Sequence, residues 1–148
     1  MSAADFKKHS SRLSAFSGKK CVFQLATNSI KLHIGDNKKR GTYLWIDPPW
    51  QLVKNGELIE SSTSCPDHRE KDYKPRFHDW CSRMAPVREA MIEKIDSSPD
   101  GALSIHFCGQ YDLRVTKECV SRQRPLWYDH WYVRTEGEPD AKSDTIRS

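Results

Sequence analysis

The stretch Asp100-Gly-Ala-Leu-Ser-Ile-His-Phe-Cys-Gly-Gln-Tyr-Asp-Leu-Arg-Val115 carries the most regular alternation of apolar and polar residues in the chain. Apolar residues occupy alternate positions from Leu103 to Phe107, and the alternation resumes at Tyr111 after a break at Gly109-Gln110. Alternation on both sides of a two-residue turn that contains glycine is typical of an antiparallel hairpin with one buried face. The sequence therefore predicts such a hairpin here.

Shorter segments elsewhere show the same two-residue period. Asn55-Gly56 is a strong turn signal between two of them, because this pair favours the positive backbone φ angles of a type I′ turn. Pro48-Pro49 ends another, since proline cannot donate a hydrogen bond to a neighbouring strand. The predicted strands lie at residues 21–25, 30–34, 42–46, 50–53, 57–60, 91–95 and 127–133. We predict an α+β fold that consists mostly of an antiparallel sheet of hairpins.

Two segments have helical spacing instead. A short N-terminal helix is predicted from Phe6, Leu13 and Phe16, with a capping box at residues 2–5 and an end at Gly18. Residues 61–75 follow the predicted strand 57–60 and are polar and aperiodic, which predicts a long loop. The second helix is a short central segment marked by Phe77, Trp80, Cys81 and Met84.

The chain has the length of one ordinary domain. We expect a single α+β domain over residues 1–135 and a disordered C-terminal tail over residues 136–148, where polar and charged residues dominate. The predicted core consists of Phe23, Leu25, Ile30, Leu32, Ile34, Trp45, Leu103, Ile105, Phe107, Leu113, Val115 and Trp131.

The charge balance is mildly basic. The 148 residues carry 24 Lys and Arg against 20 Asp and Glu, a net charge of +4. The basic residues lie in short runs among acidic ones, which favours a solvated surface over a nucleic-acid-binding stripe. The N-terminal residues lack the apolar run of a signal peptide or a membrane span. The five cysteines are an odd number without Cys-x-x-Cys, which indicates reduced thiols and a cytoplasmic location.

Cys65, His68, His78 and Cys81 are candidate zinc ligands. They form a Cys-x-x-His pair and a His-x-x-Cys pair, and two such pairs can chelate a tetrahedral ion. A zinc ion would also hold the long loop in place. The competing interpretation, which we prefer, makes Cys81 a buried thiol on the apolar side of the central helix. We therefore expect no cofactor, with zinc as the alternative.

Asp47-Pro48-Pro49-Trp50 follows the predicted strand 42–46 and is similar to the catalytic loop of the amino-methyltransferases that modify adenine N6. That resemblance implies that Asp47 and the proline backbone hold the target amine while Trp50 stacks on the base. Such enzymes also need a glycine-rich cofactor loop and a parallel sheet, and the sequence predicts neither. A strand that ends at the prolines, with Trp50 in the core, is the preferred interpretation.

Cys108 and His106 form a possible nucleophile–base pair on the outward face of one strand, since residues two apart share a face. His33 and His130 are further candidate partners. No strained turn or motif frames any of these cysteines, so we expect no enzymatic activity.

The last predicted strand carries an aromatic and basic surface. Aromatic and arginine side chains anchor protein interfaces and also stack on single-stranded nucleic acid. No contiguous basic stripe accompanies them, which favours a protein partner, and a plain sheet surface is the alternative. The predicted partner-binding residues are Tyr128, His130, Tyr132 and Arg134.

The order of these segments resembles a group of small uncharacterised bacterial β-rich proteins. The resemblance covers roughly residues 30–134 and rests on the strand-Pro-Trp-hairpin at 43–59, the polar loop, the turn and three strands at 87–115 and the Trp-containing end strand. Some members are encoded beside secreted toxins and look like immunity proteins. The resemblance implies a cytoplasmic protein that binds another protein, a cognate toxin, and neutralises it by steric occlusion.

Overall fold

The computed structural model describes residues 3–34, 41–115 and 131–135. The first four residues of the predicted strand 127–133 and the predicted tail at 136–148 lie outside these ranges. Described helices are α1 (Ala3–Arg12) and α2 (Tyr73–Ser82). Described strands are β1 (Cys21–Ala26), β2 (Ser29–Ile34), β3 (Thr42–Ile46), β4 (Gln51–Lys54), β5 (Glu57–Ser61), β6 (Ile92–Ser97), β7 (Leu103–Phe107), β8 (Tyr111–Val115) and β9 (Trp131–Thr135).

These strands form two antiparallel sheets. One has the order β1-β2-β3-β9 and the other the order β5-β4-β8-β7-β6. The segment after α1 connects them, because Gly18 N–H donates to Ile92 O at 2.7 Å and Ile92 N–H donates to Lys19 O at 2.9 Å. The predicted α+β fold of antiparallel hairpins with two short helices is confirmed. The described helices fall short of the length and apolarity that a bilayer-crossing helix needs.

The hairpin of β7 and β8 buries the face that its alternation predicts. Leu103, Ile105 and Phe107 are buried, as are Leu113 and Val115 on the partner strand. Its turn is longer than predicted, because Phe107 pairs with Tyr111 and leaves three residues between the strands. Gly109 and Gln110 both take positive φ angles, 87° and 68°, a region that glycine adopts freely and other residues adopt mainly in tight turns.

The other strong turn signal is confirmed. Asn55 and Gly56 join β4 to β5 with φ angles of 52° and 82°, the left-handed pair that defines a type I′ turn.

Helix α2 starts earlier than its apolar spacing predicts. It begins at Tyr73, inside the predicted loop 61–75, and a short 3-10 turn occupies Ser62–Ser64. Pro75 is the third residue of α2, within the first turn, where backbone N–H groups have no partner in the helix. Proline therefore costs no helical hydrogen bond here, and the predicted loop is shorter than expected.

One buried cluster contains side chains from both sheets and from both helical regions. Trp45 was predicted to belong to it, but its side chain is only half-buried, on the opposite face of β3 from Leu44 and Ile46. The prediction was wrong because residues 43–46 are all apolar or aromatic, so their alternation has no unique phase. The pairing of β3 with its two neighbouring strands decides which face is buried, because it places Leu44 opposite Leu32 and Val133. Leu25 and Ile34 are half-buried at the margin of the cluster.

Candidate functional site

An open groove of about 860 Å³ runs along the outer edge of β1. Strand β1 is the first strand of its sheet, so one of its two edges lacks a neighbouring strand. The far wall is α2 and the 3-10 turn Ala85–Val87 that follows it. The groove is lined by residues 22–25, Phe77, Cys81, Ala85, Pro86 and residues 88–90.

The first half of the β1 edge is already paired. Phe23 N–H donates to Arg88 O at 2.8 Å, and Cys21 N–H donates to Ala90 O at 3.1 Å. Because alternate residues of a strand direct their backbone groups to the same edge, the N–H and C=O of Leu25 also face the groove. None of the described residues forms a backbone hydrogen bond with Leu25 on this side.

The groove contains an apolar patch within a lining that is otherwise largely polar, and its two charged lining residues are Arg88 and Glu89. Phe77 and Cys81 lie one helical turn apart on α2 and both line it. Lys74 and His78 are exposed, and each precedes one of these lining residues by three positions, so they lie on the same side of the helix.

Arg88 is held in place at one end of the groove. Its Nη2 donates to Cys81 O at 3.4 Å. Burial raises the pKa of the Cys81 thiol, and the positive charge of Arg88 offsets part of that rise. Glu89 is the one carboxylate among the lining residues.

No family model, curated protein or solved structure matches the chain.

No local sequence signal marks the groove. Its two walls come from β1 and from residues 77–90, which lie more than fifty positions apart in sequence. Pro86 was the nearest available clue, because proline stops a chain from continuing as a paired strand. Leu25 was predicted to lie in the core, and the position of its backbone at an open edge follows only from the sheet order.

Of the candidate zinc ligands, Cys65 and His68 lie between the 3-10 turn and α2, and His78 and Cys81 lie on α2. His68 is exposed beside Asp67, and its ring meets the edge of Tyr73 with the ring centroids 6.5 Å apart. His78 is exposed on α2. Among the described residues, no group of three or more His, Cys, Asp or Glu side chains has a geometry that could hold a metal ion. Zinc binding stays a prediction.

Cys65 and Cys81 are both half-buried free thiols. Burial raises the pKa of Cys65, and the nearby Cys81 and Glu60 raise it further. Both thiols are therefore harder to deprotonate than an ordinary cysteine, and a metal ion would have to displace their protons.

Asp47 and Trp50 both form hydrogen bonds with other residues of the protein. Asp47 Oδ1 accepts hydrogen bonds from Trp45 Nε1 at 2.7 Å and from Ser29 Oγ at 2.9 Å. Trp50 is 0% exposed, and its Nε1 donates to Asn28 O at 2.8 Å. Its ring has no open surface on which a nucleobase would stack, and Trp50 lies in the core as the preferred interpretation of this sequence requires.

The structure does not place Cys108 on the strand face that carries His106, as the sequence predicted. Cys108 belongs to the turn after β7 rather than to the outward face of the strand, because the strand ends at Phe107. His106 Nδ1 lies 2.6 Å from Asp112 Oδ1, and its Nε2 lies 3.3 Å from Asp96 Oδ2. His106 therefore contacts carboxylates on both neighbouring strands. His33 is buried on β2, and His130 lies outside the described residues.

Two of the four predicted partner-binding residues are described, and both are buried. Tyr132 is 8% exposed and Arg134 is 7% exposed. The Tyr132 ring stacks on Trp45 with a centroid distance of 6.4 Å, and the Arg134 guanidinium lies 4.8 Å from the Tyr132 ring centroid. Tyr128 and His130 lie outside the described ranges. Contact of these residues with a partner stays a prediction.

Proposed function

We propose that this chain is a cytoplasmic protein that binds another protein and has no enzymatic activity of its own. The observation that carries the proposal is the groove beside β1, which combines the side chains of Phe77 and Cys81 with an open strand edge at Leu25. Apolar side chains supply affinity when a partner excludes water from them, and an open backbone edge supplies directional hydrogen bonds. The groove is therefore the preferred contact surface over the buried Tyr132 and Arg134.

The partner class we propose is a toxin, which the protein neutralises as an immunity protein does. Support for this class comes from the resemblance of residues 30–134 to small bacterial β-rich proteins of toxin systems. The mechanism would be steric occlusion, with apolar contacts for affinity and surface charge for fast association.

The test is co-expression with the product of the neighbouring gene. We expect a complex of defined stoichiometry on size exclusion and, if that product inhibits growth, restored growth when both proteins are present. Isothermal titration of the separately purified proteins measures the affinity. Separate elution of the two proteins together with unrelieved growth inhibition would contradict the proposal.

A further inference from the structure

We propose that α1 acts as a pH-sensitive latch on the outer edge of β9, closed while His9 is neutral and opened when His9 is protonated. This latch is separate from the groove, and it would operate whether or not the groove binds a partner.

The outer edge of β9 is closed by side chains instead of a strand. Strand β9 ends its sheet, so one of its edges lacks a neighbouring strand among the described residues. Val133 N–H donates to His9 Nδ1 at 3.2 Å, and Arg12 Nη1 donates to Val133 O at 3.2 Å. Both backbone groups of one edge residue therefore have partners on α1. An open strand edge is a template for pairing with another chain, so α1 protects this edge.

The hydrogen bond from Val133 N–H identifies the protonation state of His9. A neutral imidazole has one donor and one acceptor nitrogen, whereas a protonated ring has two donors. His9 Nδ1 also lies 3.2 Å from Val133 O, but that oxygen accepts from Arg12 and the Val133 N–H needs an acceptor. We therefore assign the neutral tautomer with its proton on Nε2. Protonation would direct an Nδ1–H at the Val133 N–H and remove this hydrogen bond.

The surroundings of His9 disfavour a second positive charge. The titratable and charged groups that the described elements bring to His9 are Arg12 on α1 and Tyr132 and Arg134 on β9. Arg12 binds the same Val133 oxygen that lies 3.2 Å from His9 Nδ1. The Tyr132 ring centroid lies 6.4 Å from that of His9, and the Arg134 guanidinium lies 4.8 Å from the Tyr132 ring centroid. Because His9 is only 8% exposed, water screens a charge there weakly, and protonation would weaken the contact with β9.

Release of α1 should be local, because the chain that follows it is anchored. Leu13 and Phe16 come directly after α1 and are buried in the core. Ahead of them, the Phe6 ring meets the Trp131 ring edge-on, with the ring centroids 6.3 Å apart. Loss of the His9 contact would therefore let α1 move away from β9 around residues 12–13 while both sheets stay intact.

Hydrogen exchange on the full-length protein measures the opening. The readout is the protection factor of the Val133 amide, which corrects for the pH dependence of chemical exchange. We expect it to fall at least about tenfold between about pH 7.5 and about pH 5.5, the range in which histidine takes up a proton. The Phe23 amide, which donates to Arg88 O at 2.8 Å in the same sheet, is the internal control and should keep its protection. A Val133 protection factor that does not change with pH, or an equal fall at Phe23, would overturn the proposal.

Two variants separate titration of His9 from other effects of acid. His9→Asn keeps an acceptor oxygen near the position of Nδ1 and cannot be protonated, so the fall in Val133 protection should disappear. His68→Asn is the matched control, since His68 is an exposed histidine outside this contact, and it should keep the fall seen in the unmodified protein. Retention of the fall in His9→Asn, or its loss in His68→Asn, would contradict the proposed latch.

The ring nitrogens of His9 provide a second measurement, which needs no variant and therefore decides alone should His9→Asn fail to fold. At about pH 7.5, nitrogen NMR chemical shifts should show Nδ1 without a proton and Nε2 with one. Both nitrogens should be protonated at the pH where Val133 loses its protection. A proton on Nδ1 at neutral pH, or loss of Val133 protection while the ring stays neutral, would overturn the proposal.

Discussion

Arg83 Nη1 donates to Glu60 Oε2 at 2.6 Å and joins the end of α2 to β5. The Glu60 side chain is 5% exposed, whereas that of Arg83 is 55% exposed. The other Glu60 oxygen, Oε1, accepts a hydrogen bond from Ser61 N–H at 3.0 Å. Among the described residues, this buried carboxylate has one charge partner, the half-exposed guanidinium of Arg83.

Replacing Arg83 with alanine should destabilise the protein by about 1–2 kcal/mol, because it leaves a buried carboxylate with one hydrogen bond. The figure stays low because Arg83 is half exposed and water screens the pair. Urea denaturation monitored by tryptophan fluorescence measures the free energy of unfolding. Adding Glu60→Gln to Arg83→Ala should recover part of the loss, because the buried charge is removed as well. Equal and additive losses from the two substitutions would contradict this coupling.

The sequence predicted the fold best where the alternation of apolar and polar residues allowed only one face of a strand to be buried. Leu103, Ile105 and Phe107 alternate with polar residues, so only one face of β7 can be buried. In strand β3, residues 43–46 are all apolar or aromatic, so the sequence allows either face to be buried. Trp45 was assigned to the wrong face for that reason. Long-range pairing, which no local pattern encodes, places Leu44 in the core instead.

The groove is the feature that the sequence did not predict. It depends on which strand ends the sheet and on where residues 88–90 stop following it. Both are consequences of contacts between distant segments. Individual clues such as Pro86 and the helical spacing of Phe77 and Cys81 were visible, but nothing local connects them to Leu25.

The reactivity of Cys108 should depend on Glu93 rather than on His106. Cys108 is exposed, yet desolvation and the neighbouring Glu93 carboxylate raise the pKa of its thiol. Because the thiolate is the reactive form, Glu93→Gln should increase the rate of alkylation by iodoacetamide at mildly alkaline pH roughly twofold or more. Peptide mass spectrometry measures the rate at this site.

His106→Ala is the control for that experiment. The ring nitrogens of His106 face Asp112 and Asp96, so its removal should leave the Cys108 alkylation rate unchanged. A large fall in rate would instead indicate the nucleophile–base pair that the sequence suggested. Buried Cys21, whose pKa is raised by burial to about 11, should react more slowly than Cys108 in the native protein.

Zinc binding is tested by metal analysis and chelation. We expect EDTA to leave the melting temperature unchanged, because His68 and His78 are exposed to solvent and zinc would have to displace the protons of two thiols whose pKa values are raised, those of Cys65 and Cys81. A structural zinc ion contributes directly to folding, so its removal would lower the melting temperature. One zinc per chain by elemental analysis, together with such a fall, would establish the four-ligand site against this expectation.

Trp50 should matter for stability and not for binding of a nucleobase. Trp50→Phe removes the indole N–H that donates to Asn28 O and leaves a small cavity beside Trp80, whose ring centroid lies 5.8 Å from that of Trp50. We expect a loss of about 1–3 kcal/mol in the free energy of unfolding. Trp45→Phe is the matched control and should cost less, because Trp45 is half-buried and Asp47 keeps the hydrogen bond from Ser29. If Trp50 were a base-stacking residue, Trp50→Phe would leave stability unchanged and alter binding of adenine or S-adenosylmethionine, which calorimetry on both proteins would detect.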